Sequence, residues 1–513
     1  MVLSNDSKKM IDFFKKVKYR KNFVIKNINN TNISKIVNYL IEKYNNLNTE
    51  KLDLINKNDK ILEEEIFLNN LDTCSGNKKN YLLNIQKILI ILNKDENKHI
   101  LDKMLKLHKY DIKQIQNIYK FINQVEVYEN KYIIDWINQN GIELMRSLYI
   151  FLLNKRLPKE VYQILGSNYE IYGEFTSVDI QGEIELGLKN MYKRKYLLNN
   201  TELNIVLYTN QKIEKNESSF QNFIKRCFFL SYILNDTKSI NYKLWMSSIK
   251  KYLPKKLNLS LGPKEVNSGC TNGIEISLWR KEEISKILIH EIMHYLYLER
   301  IPDIDIIRNY IYNKFDININ VNINFFESYA EFWTNILNIT FLVMSDKNNV
   351  ILKKSKRKKG SLKKNKSIKN RKTNIDEIIK LLNIEITFSL FQCAKVLNYF
   401  NYNSFNEFYN YSGYLKKTDR FKQRSNVFSY YIARPLLLFN IEKMISLCYK
   451  YNLDNVIKNN IPASEFINVM EDTINNTNFI SVIDNLIKDN KTMKNKFIKN
   501  TMRFTCIEQK YKF

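Results

Sequence analysis

Cysteine, histidine, glycine and proline are scarce in this chain of 513 residues, which has 6 Cys, 4 His, 11 Gly and 6 Pro. The cysteines lie far apart without C-x-x-C spacing, which argues against a disulfide framework and a structural zinc site. No apolar run approaches the roughly 18 residues of a membrane-spanning helix. The first residues also lack the apolar core of a secretory signal, so we expect an intracellular protein, cytoplasmic or in a virion, and not a secreted one.

The chain is strongly basic, with 81 Lys and Arg against 53 Asp and Glu and a net charge of +28. Such a charge is typical of proteins that bind nucleic acid. Residues 353–372 contain many basic residues and no acid, and such a block cannot form a core. We therefore expect residues 346–374 to be a disordered basic loop, either a contact for nucleic acid through 353–372 or a solvated insertion.

Two of the four histidines, His290 and His294, belong to an H-E-x-x-H sequence. Residues at i and i+4 lie on one face of a helix, so both imidazoles can reach a single Zn²⁺. Glu291 lies where a general base must be to take a proton from a zinc-bound water. Residues 282–298 lack Gly and Pro and have apolar side chains around most of the helix, which predicts a buried helix. The alternative is a pair of hydrogen-bonded core histidines, with Glu291 facing solvent.

Catalytic zinc usually has three protein ligands, so a third is needed. Glu327 and Glu331 stand at i and i+4 of a second predicted helix, whose neighbouring residues are mostly aromatic and aliphatic. Two carboxylates on one face of such a helix are unusual without a function, although two surface carboxylates are the alternative. Asp303 and Asp305 are nearer to the histidines, but they follow Pro302 in a predicted loop and rank lower.

The H-E-x-x-H sequence followed by a glutamate on a later helix resembles the gluzincin metallopeptidases. The metzincin pattern is excluded, because Tyr297 and Arg300 stand where it has Gly and His. Residues 266–297 also resemble uncharacterised metallopeptidases of large DNA viruses.

The gluzincin resemblance implies Zn²⁺ as the cofactor and a polypeptide as the substrate. It assigns His290, His294 and Glu327 as the metal ligands. Glu331 would then orient an imidazole N–H, although Glu331 as the ligand is an open alternative.

The same resemblance extends to the substrate and the oxyanion. Zincins bind extended substrate along an edge strand beside the active-site helix. Residues 274–279 alternate between apolar and polar, which predicts a strand. Ile274 and Ile276 are therefore candidate substrate contacts. An ordinary sheet strand is the alternative. Gluzincins commonly use a Tyr or His after the ligands as the oxyanion donor, for which Tyr430 and Tyr431 are the candidates, with Arg434 as a contact to a carboxylate or the oxyanion.

The expected fold class is α+β and mostly helical. Apolar periodicity predicts a helical N-terminal domain at 1–165 and a helical C-terminal region at 375–513. Between them we expect a core at 166–345, followed by the basic loop. The resemblance implies a zincin-like core with a small mixed sheet and an active-site helix. Within the core we expect a strand at 205–208 and helices at 220–234 and 242–252.

Two functions are consistent with these patterns. The first is a zinc-dependent peptidase that hydrolyses peptide bonds with a metal-activated water and Glu291 as the general base. The second is a basic structural or nucleic-acid-associated virion protein on an inactive zincin scaffold. The presence of Glu291 favours the first, because an inactive scaffold has no need of a general base.

Overall fold

Helices account for most of the chain that the structure, a computed structural model, describes. It describes residues 3–17, 31–47, 53–61, 78–107, 112–123, 160–161, 180, 190–198, 201–211, 213, 217–234, 239–345, 366–409, 418–452 and 455–511. The helices are α1 (Asn5–Phe14), α2 (Asn32–Asn46), α3 (Lys78–Asn93), α4 (Lys98–Leu107), α5 (Ile112–Ile122), α6 (Glu217–Leu234), α7 (Pro263–Val266), α8 (Ile284–Tyr295), α9 (Ile304–Lys314), α10 (Phe326–Ser345), α11 (Lys366–Tyr399), α12 (Arg434–Phe439), α13 (Ile441–Tyr451), α14 (Ala463–Ile474), α15 (Thr477–Thr492) and α16 (Lys496–Asn500).

One mixed sheet accompanies these helices. Its strands are β1 (Asp53–Ile61), β2 (Asn190–Leu198), β3 (Thr201–Thr209), β4 (Ile240–Trp245), β5 (Gly269–Thr271) and β6 (Glu275–Leu278), in the spatial order β1-β2-β3-β4-β6-β5. β3, β4 and β6 run parallel, whereas β1, β2 and β5 pair antiparallel with their neighbours. The fold is therefore α+β and mostly helical, which confirms the predicted class.

The strand predicted at 274–279 is not the edge of the sheet. Within this range β6 forms the strand, and it pairs with β4 on one side and with β5 on the other. The turn at Asn272 and Gly273, where Gly273 has φ of +81°, folds β5 back onto β6 as a hairpin. Asn-Gly is a strong hairpin signal, so the sequence indicates the hairpin but not which of its two strands lies at the sheet edge.

The helix predicted at 242–252 is also wrong, because β4 occupies residues 240–245. Its even-numbered residues are buried against the core or the sheet's far face, and its backbone pairs with parallel strands on both sides. A short apolar stretch of this kind fits a buried strand as well as a helix, and only the neighbouring strands decide between them. The predicted strand at 205–208 and helix at 220–234 are confirmed as parts of β3 and α6.

One large hydrophobic core in the described residues contains side chains from the first two helices and from later helices of the chain. Phe14 of α1 packs edge-on against Phe388 of α11, with ring centroids 5.3 Å apart. Tyr44 of α2 packs in the same way against Phe341 of α10, at 5.5 Å. The four-part division of the chain remains a prediction, but within the described residues α1 and α2 share their core with the later helices.

The predicted basic loop falls mostly outside the described residues, which resume at Lys366 with α11. Residues 366–374 are therefore helical, although the prediction placed them in the loop. No helix in the described ranges combines the length and apolar character needed to cross a membrane.

The helices that carry the motif residues, α8 and α10, pack against each other. Both are buried along nearly their whole lengths, as the apolar residues around α8 predict. β5 and β6 also pack against α8. The edge strand, the H-E-x-x-H helix and the Glu327 helix thus come together at one place.

Gly269 allows β5 to approach α8 closely. A methyl group there would lie 2.6 Å from Leu278 Cδ2 and 2.9 Å from Ile287 Cγ2. We expect Gly269→Ala to lower the free energy of unfolding by about 1–3 kcal/mol through overpacking, measured by urea denaturation. Gly262→Ala is the control, because its methyl group would meet only the flexible Arg424 side chain at 3.3 Å. Equal stability of the two variants would show that β5 does not pack as described.

Candidate metal centre and catalytic cavity

Three ligand-type atoms converge between α8 and α10. His290 Nε2 lies 3.0 Å from Glu327 Oε2, and His294 Nε2 lies 3.1 Å from both of these atoms. The histidines share a face because they are one helical turn apart. Glu327 reaches them from the first turn of α10. These three residues could hold a metal ion.

A carboxylate lies beside the outer nitrogen of each imidazole. His290 Nδ1 is 3.0 Å from Glu331 Oε1, and His294 Nδ1 is 3.0 Å from Glu299 Oε1. A carboxylate next to Nδ1 favours the tautomer that carries its proton there. The lone pair of each Nε2 is then directed towards the common centre of the triangle.

This donor set fits a divalent metal. Three lone pairs at separations of 3.0–3.1 Å repel each other unless a cation or a proton lies among them. Burial disfavours a charged imidazole, yet the neighbouring carboxylates raise the pKa of His290, and they raise that of His294 strongly. The triangle therefore attracts positive charge, which a metal ion would supply. Two imidazoles and one carboxylate suit zinc, but they also suit other metals such as iron(II).

Glu327 is held in place by two further side chains. Tyr430 donates its hydroxyl hydrogen to Glu327 Oε2 at 2.8 Å, and Asn426 Nδ2 donates to Oε1 at 3.0 Å. Burial would raise the pKa of this carboxyl, but the charges of the histidines and their hydrogen bonds hold it well below its ordinary value. Glu327 is therefore an ionised and oriented carboxylate.

Glu331 is surrounded by cations although it has no exposed surface. Lys286 Nζ contacts its Oε1, and Arg434 Nη1 lies 2.9 Å from its Oε2. Burial opposes ionisation, but Lys286 and the hydrogen bond to His290 dominate and hold the pKa well below its usual value. The carboxylate thus stays charged and can fix the orientation of His290.

Glu291 differs from the other carboxylates because it has no hydrogen bond or ion pair among the described residues. Its carboxyl is largely buried, and this burial raises its pKa to about 7. It lines the cavity beside the three converging residues. A carboxyl with this pKa can both accept and return a proton near neutral pH.

A cavity of about 420 Å³ opens onto these groups. β5 and its turn form one wall, and residues from the end of α8 and from the 425–430 region form others. The residues that line it are Asn267, Ser268, Gly269, Cys270, Thr271, Asn272, Gly273, Ile287, His290, Glu291, His294, Tyr297, Glu299, Glu327, Ser425, Asn426, Tyr430 and Phe504. Its size suits a small ligand or a short segment of a polymer.

Glu299 is a site residue that the sequence did not reveal. Two residues after the end of α8, Tyr297 has a left-handed backbone with φ of 53°, and Leu298 N–H donates to Met293 O at 2.9 Å. This reversal, usually formed by glycine, brings Glu299 back beside His294. An acid five residues after the second histidine was the only signal, and it is too weak to select Glu299 without the turn.

The predicted oxyanion donors lie in different places. Both belong to a π-helical turn, Ser429–Ala433, and such turns are frequent at functional sites. Tyr430 reaches the metal centre, as its bond to Glu327 shows. Tyr431 is buried and donates to Met502 O instead, because adjacent residues of a helical turn face different directions.

The three predicted substrate contacts do not lie on the cavity wall. Arg434 is fully buried and binds Glu331 and the carbonyl of Phe504, so it supports the site from behind. Ile276 points into the core, and Ile274 is 70% exposed at the hairpin turn. The cavity wall is formed by β5 in their place, since β5 covers β6.

The lower-ranked acids lie elsewhere, as expected. Asp305 is exposed and pairs with Arg308, and Asp303 is exposed at the start of α9. Lys286 and Asn426 also contribute to the centre and were not predicted. Lys286 lies one turn before His290, on the same helix face, so that spacing was the signal that could have identified it.

Comparisons with known proteins give distant relatives. The chain is 28% identical over 242 residues to the uncharacterised protein R210 of Acanthamoeba polyphaga mimivirus, which covers 45% of this chain and 52% of the relative. It is 24% identical over 251 residues to a RING finger protein of Plasmodium falciparum, covering 48% of this chain and 19% of that protein. The match therefore spans about half of the first relative and a fifth of the second. No family model and no solved structure matches.

The buried charges around Glu331 generate a stability prediction. Glu331→Gln keeps the shape of the side chain but leaves Lys286 and Arg434 buried without their anion, so we expect a loss of about 3–5 kcal/mol in the free energy of unfolding. Urea denaturation of both variants measures this loss, with Glu465→Gln as the control because Glu465 pairs with the exposed Lys450. The control should change by less than about 1 kcal/mol. A similarly small loss for Glu331→Gln would contradict the described ion pairs.

Proposed function

We propose that this protein is a zinc-dependent peptidase of the gluzincin type. The observation that supports this most is the convergence of His290, His294 and Glu327, within 3.0–3.1 Å of one another, beside the unpaired carboxyl of Glu291. Two imidazoles and a carboxylate are an established ligand set of catalytic zinc. When bound, the metal supplies Lewis-acid chemistry that activates water and polarises a carbonyl group.

Glu291 is the proposed general base. Its carboxyl lines the cavity, and burial raises its pKa to about 7, so it can take a proton from the attacking water. The same carboxyl then returns the proton to the leaving amine as the C–N bond breaks. The other two carboxylates next to the histidines, Glu331 and Glu299, keep the imidazoles oriented throughout.

Tyr430 is the proposed oxyanion donor. Its hydroxyl lies 2.8 Å from Glu327 Oε2, and burial keeps its pKa well above the usual value, so it remains a hydrogen-bond donor. In the proposed reaction this hydrogen turns from Glu327 to the developing negative oxygen of the substrate. A donor in that position stabilises the transition state more than the ground state.

The edge strand favours a peptide as the substrate. β5 is the last strand of the sheet among the described residues, and Gly269, Cys270 and Thr271 line the cavity. An extended peptide can add to such an edge through main-chain hydrogen bonds. Gly269 also brings this edge close to Glu291, since a methyl group there would lie 3.0 Å from Glu291 Oε1. A bound backbone would therefore lie next to the proposed base.

The RING designation of the Plasmodium relative does not extend to the proposed metal centre. RING sites bind zinc through paired Cys and His ligands, whereas the six cysteines of this chain lack C-x-x-C spacing. The proposed ligands here are two histidines and a glutamate from two helices.

Glu291→Gln tests this function. The amide retains the size of the carboxyl but cannot accept the proton, so we expect hydrolysis of unfolded protein or peptide libraries to fall by about 10²–10⁴-fold. Bound metal per chain should stay at the wild-type level, because Glu291 is not one of the three ligands. Cleavage products are measured by mass spectrometry.

Asp305→Asn is the matched control for this experiment, since it makes the same chemical change at an exposed position. It should leave hydrolysis unchanged. Wild-type activity in Glu291→Gln would contradict the assigned base. The absence of cleavage by the metal-loaded wild type, over a broad peptide library, would contradict the proposed function itself.

A further inference from the structure

The catalytic cavity is acidic although the protein is basic. Its charged lining residues among those described are three glutamates, Glu291, Glu299 and Glu327, without a lysine or arginine. The whole chain has 81 Lys and Arg against 53 Asp and Glu, so the composition favours the opposite sign. The ligand role of Glu327 and the base role of Glu291 account for two of these carboxylates. Glu299 carries a second oxygen with no assigned partner.

That oxygen is buried and unpaired. Glu299 is only 6% exposed, and its Oε1 lies 3.0 Å from His294 Nδ1. Its Oε2 has no hydrogen-bond partner within the described part of the chain. A buried carboxylate oxygen without a donor is unfavourable, so a donor supplied by a ligand would stabilise Glu299.

The backbone on both sides of Glu299 is held in place by hydrogen bonds. Asn459 N–H donates to Leu298 O at 2.8 Å, and Asn459 Nδ2 donates to Arg300 O at 3.1 Å. The residues on both sides of Glu299 are therefore anchored to the same asparagine.

Tyr297 lies on the cavity wall two residues before Glu299, and one face of its ring already holds a cation. It lines the cavity, and the guanidinium of Arg300 lies over its ring, 4.3 Å from the centroid. The ring face of tyrosine attracts cations through its quadrupole. The strained backbone of Tyr297, with φ of 53°, holds this ring at the cavity wall.

We propose that Glu299 and Tyr297 form a subsite for a cationic group of the substrate, an ammonium or a guanidinium. This inference rests on the proposed peptidase function and names its substrate class. A charged donor satisfies the free oxygen with a charge-assisted hydrogen bond, which is stronger than a neutral one.

A second metal ion is a poorer occupant of this subsite. Among the described residues, the only group of three or more metal-type side chains is His290, His294 and Glu327. Glu299 has no further carboxylate, cysteine or histidine with which to complete a separate site. An organic cation needs only one carboxylate and an aromatic face.

The cation has two sources with the same chemistry. A lysine or arginine side chain near the cleaved bond would make the protein a basic-specific endopeptidase. A free N-terminal ammonium would make it an aminopeptidase. Peptides that differ only in N-terminal acetylation separate these cases.

The test measures binding with the metal-loaded, full-length Glu291→Gln protein, which should hold peptides without cleaving them. Fluorescent peptides of one sequence carry Lys, Arg, Gln or Glu at the varied position, each with a free or acetylated N-terminus, and their dissociation constants are measured by anisotropy. We expect the peptide that presents the recognised cation, a Lys or Arg side chain or a free N-terminus, to bind at least about tenfold more tightly than the acetylated Gln peptide, in line with a hydrogen bond to a charged group. In the double variant with Glu299→Gln this ratio should fall close to one.

Controls separate the subsite from the support that Glu299 gives to His294. The ratio of two affinities on one protein is insensitive to a uniform loss of metal or of folded protein. Glu299→Asp retains the negative charge and should retain part of the preference, and Asp305→Asn should retain all of it. General attraction is not an explanation for the expected result, because a protein of charge +28 repels cationic peptides.

The outcomes for the subsite and for the function are distinct. Equal binding of the Lys, Arg and Gln peptides with both free and acetylated N-termini, and no difference between free and acetylated Gln peptides, would overturn the subsite. A preference that survives Glu299→Gln unchanged would also overturn it. Cleavage by the wild type without any charge preference would overturn the subsite and leave the peptidase in place. Selective binding that depends on Glu299, without cleavage by the wild type, would support the subsite and contradict the peptidase.

Discussion

The buried carboxylate of Glu331 is the contact on which the geometry of the centre depends. It lies 3.0 Å from His290 Nδ1 and also binds Lys286 and Arg434. A carboxylate in a low-dielectric interior stays ionised only if such cations surround it. Because Lys286 and His290 belong to α8 and Arg434 to α12, this one residue of α10 fixes three helices relative to one another.

The same network extends to the last described segment of the chain. Arg434 donates to the carbonyl of Phe504 at 2.7 Å, and Phe504 lines the cavity beside the three converging residues. Glu283, just before α8, accepts the N–H of Phe504 and of Thr505. The cavity therefore depends on residues more than 200 positions apart, and its shape is a property of the whole core.

Local spacing made part of this site predictable. His290 and His294 are one turn apart, as are Glu327 and Glu331, and both pairs lie on helices whose apolar residues the sequence displays. The spacing of apolar residues in a helix is a local feature of the sequence, so both helices could be predicted without knowledge of the tertiary structure. The resemblance to gluzincins then related the two pairs, and the structure brings them together.

The remaining features depend on contacts that sequence spacing does not encode. Glu299 faces His294 only because Tyr297 reverses the chain after α8, where a glycine would be the usual signal. Arg434 was expected at the substrate, but its burial beside Glu331 follows from the packing of α10 and α12. The sequence predicted residues of β6 at the sheet edge, but the Asn272-Gly273 hairpin places β5 there. The hairpin alone does not show this, because the order of the strands in the sheet must also be known.

The contrast between the basic chain and its acidic cavity bears on the alternative function. A net charge of +28 is consistent with nucleic-acid association, yet most of the densest basic stretch, 353–372, lies outside the described residues. The described cavity instead combines carboxylates, imidazoles and a strand edge. Nucleic-acid binding through 353–372 and the proposed hydrolysis in the cavity would use different residues, so the two functions do not exclude each other.

The central claim is that His290, His294 and Glu327 hold one divalent metal ion, and elemental analysis of the purified, dialysed protein tests it most directly. We predict about one zinc per chain in the wild type and in a variant that lacks the other two histidines, His99 and His108, and none in folded His290→Ala. Wild-type protein that retains no metal after zinc is supplied, or His290→Ala that retains a full equivalent, would contradict the account.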